Sequence, residues 1–311
     1  MIATVTCNPA IDIRYNLPVF QLDEVNRVSI VDKTAGGKGL NVSRVLSKLG
    51  AKVTCTGFLG GKSGEWITDQ FPRWGFINQF VPIQGNTRFC LAIESSEGHT
   101  EILEQGPMIE ENEREEFLKN FDGILEINQY IVVSGSLPYG LSSEFYRQLA
   151  VKAKQKGKYL LLDSSNEALE QGIKGNPFLI KPNKEELCKL IGKKNATLEE
   201  MMLHARAICQ KGIKFVLLSL GKQGALLISS GRVLQANIPT LTSVHQVGSG
   251  DSMLAGFTFA HSKGYSIEEV LKWACACGMS NAASERTGEI DLSQVHYFLD
   301  FIEVKELIGG V

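Results

Sequence analysis

Hydrophobic residues along this chain gather in short runs, and segments with a helical spacing of apolar positions lie between those runs. The runs that predict β-strands are Ile2–Thr6, Val53–Phe58, Tyr130–Ser134, Tyr159–Asp163, Phe178–Lys181, Phe215–Ser219 and Ala225–Ile228. Several are apolar throughout, which is typical of strands covered on both faces. Val42, Val45, Leu46 and Leu49 follow the i, i+3, i+4, i+7 spacing of a helix, and Gly50 stands where helices commonly end. This alternation predicts an α/β fold with a doubly wound, mainly parallel sheet flanked by helices.

Two segments interrupt that alternation, at about residues 11–34 and 85–107. Both contain short alternating stretches such as Arg88–Ile93, and neither shows a helical pattern. We expect antiparallel strands of a small second sheet there, and a pairing between the two insertions would form a lid over one end of the large sheet. No linker, repeat or low-complexity tract divides the chain, so residues 1–311 are expected to form one α/β domain that carries this lid.

Composition and charge restrict the partners of the protein. The chain has 311 residues, is 43% hydrophobic, and carries 32 basic against 34 acidic residues for a formal net charge of -2. This composition supports a large core and excludes a broad electrostatic surface for nucleic acid or an anionic membrane. The 7 cysteines show no C-x-x-C spacing, which favours free thiols in a reducing compartment. We find no signal peptide or transmembrane run and expect a cytoplasmic protein.

A glycine-rich turn stands directly before the predicted helix that contains Val42. Gly36, Gly37 and Gly39 surround Lys38 in this turn. Glycines let the backbone approach a ligand closely, and the free N–H groups of a helix N-terminus favour an anion. This pattern favours a ligand-binding turn over one that only starts a helix.

A second glycine motif, Gly248-Ser249-Gly250-Asp251, joins a polar loop to another helical segment. Its consecutive N–H groups can form an anion hole, with Asp251 in the first turn of the helix. A carboxylate beside an anion hole suits phosphoryl transfer, because it can accept the proton of an attacking hydroxyl. Asp251 could also serve only as a helix cap, and the spacing alone leaves this open.

A near match to a nucleotide-binding P-loop occurs at Gly57–Ser63, with Lys62 in the place of the phosphate-binding lysine. The first glycine of that pattern belongs at position 56, where this chain has Thr56. Because loop length sets the geometry of the phosphate cradle, we disfavour this assignment. No dinucleotide-binding glycine pattern follows the first strand either.

Taken together, the motifs resemble those of the PfkB family of ribokinase-like sugar kinases. The further motifs that match in family order are Asn8-Pro9-Ala10-x-Asp12, Ser134-Gly135-Ser136-Leu137-Pro138, Lys181-Pro182-Asn183-x-x-Glu186 and Ser219-Leu220-Gly221. Within the family, Lys38 resembles the kinases that act on fructose 1-phosphate or tagatose 6-phosphate. The stretches Lys33–Val42, Thr87–Ile93 and Thr100–Pro107 are most similar to kinases of tagatose 6-phosphate. Kinases of fructose 1-phosphate are the alternative.

The resemblance implies a role for each matching residue. The residues that would hold the sugar hydroxyls are Asp12, Gly36, Gly37 and Asn41. Those that would bind the phosphate already on the substrate are Arg27, Lys38 and Arg88, with Ser136 nearby. The residues that would hold magnesium, mainly through water, are Asn183 and Glu186. The nucleotide site would be lined by Ser219, Gly221, Gly224 and Asn281. The anion hole would be formed by Gly248, Ser249 and Gly250, with Asp251 as the base.

The activity implied by this resemblance is phosphorylation of D-tagatose 6-phosphate to D-tagatose 1,6-bisphosphate with ATP and Mg²⁺. Phosphorylation of fructose 1-phosphate to fructose 1,6-bisphosphate stays open, because a pocket for a pseudo-symmetric bisphosphate could accept either end. A catalytically silent sugar-phosphate sensor is disfavoured, since the Asp251 motif is intact. The resemblance also implies a homodimer joined through the lids, whose exposed edges invite pairing. His245, just before the Asp251 loop, is a further candidate for contact with the nucleotide.

Overall fold

Two β-sheets organise the computed structural model of the chain, which describes residues 1–241 and 247–307. The strands are β1 (Ile2–Thr6), β2 (Ala10–Asn16), β3 (Val31–Gly36), β4 (Val53–Gly60), β5 (Ile77–Asn78), β6 (Val81–Ile83), β7 (Arg88–Ser95), β8 (Gly98–Leu103), β9 (Tyr130–Ser134), β10 (Tyr159–Asp163), β11 (Leu179–Ile180), β12 (Phe215–Ser219), β13 (Ala225–Ile228), β14 (Val233–Asn237) and β15 (Glu303–Glu306). The helices are α1 (Lys38–Lys48), α2 (Gly61–Asp69), α3 (Phe71–Trp74), α4 (Glu111–Ile127), α5 (Phe145–Gln155), α6 (Asn166–Ile173), α7 (Lys184–Ile191), α8 (Leu198–Gln210), α9 (Ser249–Ser262), α10 (Ile267–Ala282) and α11 (Leu292–Phe301).

The larger sheet has the order β15-β14-β13-β12-β11-β10-β9-β1-β4-β5, and β6 also pairs with β4. From β5 to β12 its neighbours are parallel, whereas β13, β14 and β15 form an antiparallel edge. The chain runs outward from β1 in both directions, so the predicted doubly wound, mainly parallel α/β fold is confirmed. All of the apolar runs in the sequence prediction become strands.

Alternate residues of the central strands enter two different cores, one on each face of the sheet. On β10, Leu161 packs into the core that α1, α9 and α10 cover, while Leu160 and Leu162 pack into the core beneath α4 and α5. Burial on both faces is the reason that these strands are apolar throughout. All seven cysteines are buried free thiols, as their odd number suggested. Within the described residues, none of the helices has the length and hydrophobicity needed to span a membrane.

The smaller sheet has the order β3-β2-β7-β8 and is built from the two predicted insertions. Each insertion forms an antiparallel hairpin, and the hairpins join through β2 and β7 with Asp12 opposite Cys90. This central pair is parallel rather than antiparallel. The strands that precede β2 and β7 in the chain are β1 and β6, and both run parallel to β4, so β2 and β7 leave the larger sheet at the same edge. We refer to this four-stranded sheet as the lid.

The two glycine motifs each end at the start of a helix on the same face of the larger sheet. Gly37, with φ 99°, precedes α1, and Gly248, with φ 83°, precedes α9. At the other end of α1, Gly50 has φ 85°, as expected for a helix that stops there. Helices α1 and α9 pack against each other within the same core, and their N-terminal residues line a common cavity.

Candidate active site

A cavity of about 1310 Å³ lies between the lid and the loops that follow β9, β10, β11 and β12. Ligands of open α/β sheets bind at the carboxyl ends of the strands, where this cavity lies. The expected site residues that line it are Asp12, Gly37, Lys38, Asn41, Arg88, Ser136, Asn183, Glu186, Ser219, Gly221, Gly224, Gly248, Ser249, Gly250 and Asp251. The fold therefore brings most of the predicted site together from segments that are far apart in sequence.

Asp251 is buried in the first turn of α9, with 5% of its surface exposed. Gly248 occupies the capping position of the helix, so Asp251 is not the N-cap residue. Instead, Nδ2 of Asn41 on α1 donates a hydrogen bond of 2.7 Å to Oδ2 of Asp251. Burial raises the pKa of Asp251 to about 6, against the opposing charge of Lys38. The carboxylate is thus ionised at neutral pH and can accept a proton.

A cluster of charged groups lies beside Asp251, in which Asp163 and Lys181 are buried while 43% of the Lys38 side chain is exposed. Nζ of Lys38 is 3.4 Å from Oδ1 of Asp163, and Nζ of Lys181 is 3.1 Å from Oδ2 of the same carboxylate. Burial disfavours the Asp163 anion, but Lys181 and Lys38 outweigh it and hold the pKa of Asp163 below its ordinary value. The charge of Asp163 in turn raises the pKa of Lys38. Lys38, expected at the phosphate of the substrate, therefore has its ammonium group near the predicted base.

Sequence reasoning assigned no role to Asp163 or Lys181, although Lys181 belongs to a quoted motif. Asp163 is the last residue of β10 and Lys181 follows β11, the neighbouring parallel strand. A polar residue at the carboxyl end of a buried strand is a signal that could have indicated both. Each side chain has 5% or less of its surface exposed, so both are buried in the floor of the cavity.

The predicted anion hole depends on a backbone conformation that favours glycine. A Cβ atom added to Gly248 would lie 2.7 Å from Cγ2 of Thr287 and 2.9 Å from the backbone nitrogen of Gly288. The buried amide of Asn281 holds the same loops together, because it donates to the oxygen of Val247 at 2.9 Å and accepts from the nitrogen of Gly288 at 2.7 Å. Asn281 was expected to line the nucleotide site. It lies instead behind the anion-hole loop, and the cavity lining among the described residues does not include it.

The sugar end of the cavity contains Asp12 of β2. Gly36 leaves room for this carboxyl group, since an added Cβ would lie 2.1 Å from Cγ of Asp12. Gly36 therefore acts next to the cavity rather than in its lining. Burial raises the pKa of Asp12 to about 6, and the charges of Arg44 and Arg88 oppose this rise. A carboxylate in this position can accept hydrogen bonds from sugar hydroxyls.

Arg88 and Ser136 meet through Asn8 at the base of the lid. The guanidinium of Arg88 donates to the oxygen of Glu104 at 2.6 Å and to the oxygen of Asn8 at 3.1 Å. Nδ2 of Asn8 donates to Oγ of Ser136 at 3.3 Å. Arg27 is different: it lies in the exposed segment between β2 and β3, outside the cavity lining in the described part of the chain. The fold thus places two of the three predicted phosphate-binding cations, Lys38 and Arg88, at the cavity.

The nucleotide end of the cavity begins at α7, where Asn183 and Glu186 form a reciprocal capping box. Oδ1 of Asn183 accepts from the nitrogen of Glu186 at 2.8 Å, and Oε2 of Glu186 accepts from the nitrogen of Asn183 at 2.9 Å. Within the described residues, no group of three or more His, Cys, Asp or Glu side chains could hold a metal ion. One carboxylate and one amide suit a hydrated Mg²⁺ that arrives with phosphates, and not a metal held by protein ligands alone. His245 lies outside the described residues.

The rejected P-loop is not part of this cavity. Lys62 stands at the start of α2 with 93% of its side chain exposed, and it pairs with Glu65 at 2.7 Å. The turn before it is closed, because a Cβ added to Gly60 would lie 2.0 Å from the oxygen of Gly85. The structure therefore agrees with the loop-length argument against nucleotide binding there.

Comparison with known proteins gives one family over nearly the whole chain. Residues 5–293 match the family described as pfkB family carbohydrate kinase. A candidate phosphofructokinase from Staphylococcus aureus is 32% identical, with a TM-score of 0.86 and a match that covers 100% of both chains. Phosphofructokinase-2 from Escherichia coli, solved in complex with fructose 6-phosphate, is 27% identical, with a TM-score of 0.87 and coverage of 96% of this chain and 98% of that chain. Ribokinase from Arabidopsis thaliana, complexed with ribose and ATP, shares the fold at 20% identity, with a TM-score of 0.76 and coverage of 96% and 98%.

Proposed function

The chain belongs to the pfkB family of carbohydrate kinases and is a sugar-phosphate kinase, and from this premise we propose that it transfers the γ-phosphoryl group of ATP to O1 of D-tagatose 6-phosphate. The product would be D-tagatose 1,6-bisphosphate. The observation that carries the proposal is the buried Asp251 carboxylate, held by Asn41 at the N-terminus of α9 and next to Lys38. A base, backbone N–H donors and a cation then lie where a hydroxyl would meet a phosphoryl group.

In this mechanism Asp251 accepts the proton of the O1 hydroxyl while the bond from O1 to the γ-phosphorus forms. The bond between that phosphorus and the bridging oxygen breaks, and ADP leaves. The N–H groups of Gly248–Asp251 and the ammonium of Lys38 stabilise charge on the transferring group. Because the transition state of such transfers is loose, the base acts late and positioning contributes most of the catalysis.

ATP would occupy the end of the cavity lined by Ser219, Gly221 and Gly224. Asn183 pairs with Ser219 of that end, and the charge of Glu186 acts to raise the pKa of Lys38. These two residues would therefore hold the hydrated Mg²⁺ through water. When bound, Mg²⁺ neutralises charge on the β- and γ-phosphates. At the opposite end, Arg88 and Ser136 would bind the 6-phosphate, with Asp12 on the sugar hydroxyls between the two ends.

A second copy of the chain is proposed to cover the outer face of the lid. The apolar side chains of Leu22, Val25, Ile30 and Ile102 each have at least 51% of their surface exposed, and Ile102 lies on the face of β8 opposite to Leu103, which lines the cavity. Exposed apolar side chains of this size are typical of an interface. Arg27 lies between Val25 and Ile30, so contact between Arg27 and a phosphate requires a rearranged lid or this interface. Sedimentation equilibrium tests the dimer, and a monomer at micromolar concentration would contradict it.

The alternative substrate is fructose 1-phosphate. Its phosphate would also lie at Arg88, because its acceptor hydroxyl, O6, has to meet Asp251 at the end of the cavity that contains Lys38. Since the two ends of a furanose bisphosphate are similar in shape, this sugar phosphate could bind with its ring reversed. An ADP-coupled assay should compare tagatose 6-phosphate, fructose 1-phosphate and fructose 6-phosphate. We expect the highest kcat/KM for tagatose 6-phosphate, and a much higher value for fructose 1-phosphate would contradict the proposed substrate.

A further inference from the structure

Arg44 of α1 donates hydrogen bonds to three oxygens around the proposed transfer centre, one in β3, one on its own helix and one in the loop after α10. Its Nη1 donates to the oxygen of Ala35, at the end of β3, and its Nη2 donates to Oδ1 of Asn41 at 2.5 Å. The same Nη2 donates to the oxygen of Thr287, in the loop between α10 and α11, at 3.0 Å. We propose that Arg44 is a positioning residue for phosphoryl transfer: it fixes the Asn41 amide against Asp251 and joins α1 to the loop behind the anion hole.

The contact with Arg44 fixes the orientation of the Asn41 amide. A guanidinium group carries donors only, so the atom of Asn41 that faces Arg44 has to be the oxygen. Nδ2 is then directed to the Asp251 carboxylate, where it donates at 2.7 Å. The reversed amide would place an oxygen against the carboxylate and an NH₂ group against the guanidinium. Arg44 therefore selects the orientation in which Asn41 stabilises the ionised base.

Arg44 also contacts the loop after α10, through the backbone oxygen of Thr287. Gly288 has φ 67°, and an added Cβ would lie 2.9 Å from Nη2 of Arg44 and 2.9 Å from Cβ of Asn41. The loop thus packs directly on both side chains. The nitrogen of Gly288 donates to Asn281, and Asn281 donates to the oxygen of Val247, the residue before the anion hole. Hydrogen bonds connect Arg44 with the base through Asn41 and, together with the peptide bond between Thr287 and Gly288, with the anion-hole loop.

The charges around Arg44 match this role. The carboxylates of Asp12 and Asp251 oppose the effect of burial, which lowers the pKa of Arg44. The Arg44 guanidinium stacks over the ring of Trp74 at 5.6 Å, which leaves its N–H groups directed at the three oxygens. Asp251 itself is faced by Lys38 and Lys181, by the carboxylate of Asp163 and by the amide of Asn41. Removal of Arg44 takes away a positive charge and frees this amide, and both changes disfavour the ionised base.

A double-mutant cycle between Arg44 and Asn41 tests the inference, which rests on the proposed function. Arg44→Met alone is expected to lower kcat by about 30-fold and to move the acidic limb of the kcat/KM profile to higher pH. In the Asn41→Ala background, Arg44→Met should cost only about 2-fold more, because the route through Asn41 is already lost. Equal losses in both backgrounds, or an unmoved acidic limb, would overturn the inference. Arg147→Met, at an exposed arginine whose ion partner is Glu144, is the control and should behave as wild type.

A variant that retains charge keeps the test decisive if Arg44→Met does not fold. Arg44→Lys carries one ammonium group that cannot reach three separated oxygens together. It should show the same non-additivity with Asn41→Ala and a smaller loss of kcat, and additive losses would overturn the inference. Asp251→Asn separates the two claims. If that variant keeps its activity, the proposed base is wrong; if it is inactive while the Arg44 cycle is additive, only the role of Arg44 is wrong.

Discussion

Asn41 donates a hydrogen bond of 2.7 Å to the carboxylate of Asp251, although 210 positions separate the two residues in the chain. This bond joins the first turns of α1 and α9, and so connects the two glycine motifs that the sequence displays far apart. The acceptor of this bond is Oδ2 of Asp251.

The pH dependence of kcat/KM should reflect two buried carboxyl groups. Burial raises the pKa values of Asp251 and Asp12 to about 6, and both groups act in their ionised form. Activity should be full well above pH 6 and fall as pH decreases through that value, because protonation removes the base and the sugar contact. Steady-state assays across this pH range measure the predicted decrease of kcat/KM. A constant kcat/KM down to pH 4.5 would contradict both assignments.

The space that Gly36 leaves for Asp12 predicts a defect in sugar binding. Gly36→Ala would place a methyl group 2.1 Å from Cγ of Asp12, so the carboxyl group has to move away from the substrate. We expect KM for the sugar phosphate to rise about 10-fold while KM for ATP stays constant. Gly123→Ala on α4 is the matched control, because its added methyl meets no atom within 4 Å. Similar kinetics for the two variants would count against the role of Asp12.

Substitution of Lys38 or Lys62 distinguishes the cavity from the P-loop-like segment as the site of phosphoryl transfer. Lys38→Met removes the cation between Asp163 and Asp251 and leaves a buried carboxylate with one partner fewer. We expect kcat/KM to fall about 100-fold. Lys62→Met changes an exposed side chain that pairs with Glu65, and it should retain wild-type kinetics. The opposite ranking, with Lys62→Met inactive, would move the nucleotide site to α2.

Arg88 should matter for the phosphate on the substrate and not for the nucleotide. Arg88→Ala removes the guanidinium at the base of the lid, so KM for tagatose 6-phosphate should rise about 30-fold with KM for ATP unchanged. Unphosphorylated tagatose, used as a slow substrate, serves as the control and should be turned over equally by both proteins. An equal loss with both sugars would show that Arg88 supports the lid and does not bind phosphate.

Much of the fold follows from local sequence signals, and the exceptions have physical reasons. The apolar runs predict the buried strands because both faces are covered, whereas β14 and β15 at the antiparallel edge carry polar residues and gave no such signal. The capping glycines Gly50 and Gly248 have the positive φ angles that their positions required. Helix α1 therefore ends, and helix α9 begins, at the glycine that the sequence pattern indicated.

The site was predictable in its motifs and less so in its contacts. Asp251 and Asn41 carry motif signals, but the Asp163 cluster depends on which strands are neighbours, and this emerges only in the folded sheet. Asn281 shows the converse case, since a motif position expected at the nucleotide uses its amide for backbone groups of the anion-hole loop. Packing in the folded protein sets the direction of a side chain, so a sequence motif alone does not predict what that side chain contacts.

The most direct test of the account is the turnover of Asp251→Asn with ATP, Mg²⁺ and D-tagatose 6-phosphate. The amide keeps the size of the side chain but cannot accept the proton, so kcat should fall by about 10³-fold or more while the sugar phosphate still binds with nearly unchanged affinity. Calorimetric titration of the variant with the sugar phosphate measures that binding, and Asp300→Asn, at an exposed position of α11, is the matched control. Turnover by Asp251→Asn close to that of the wild type would contradict the assignment of the base and the mechanism built on it.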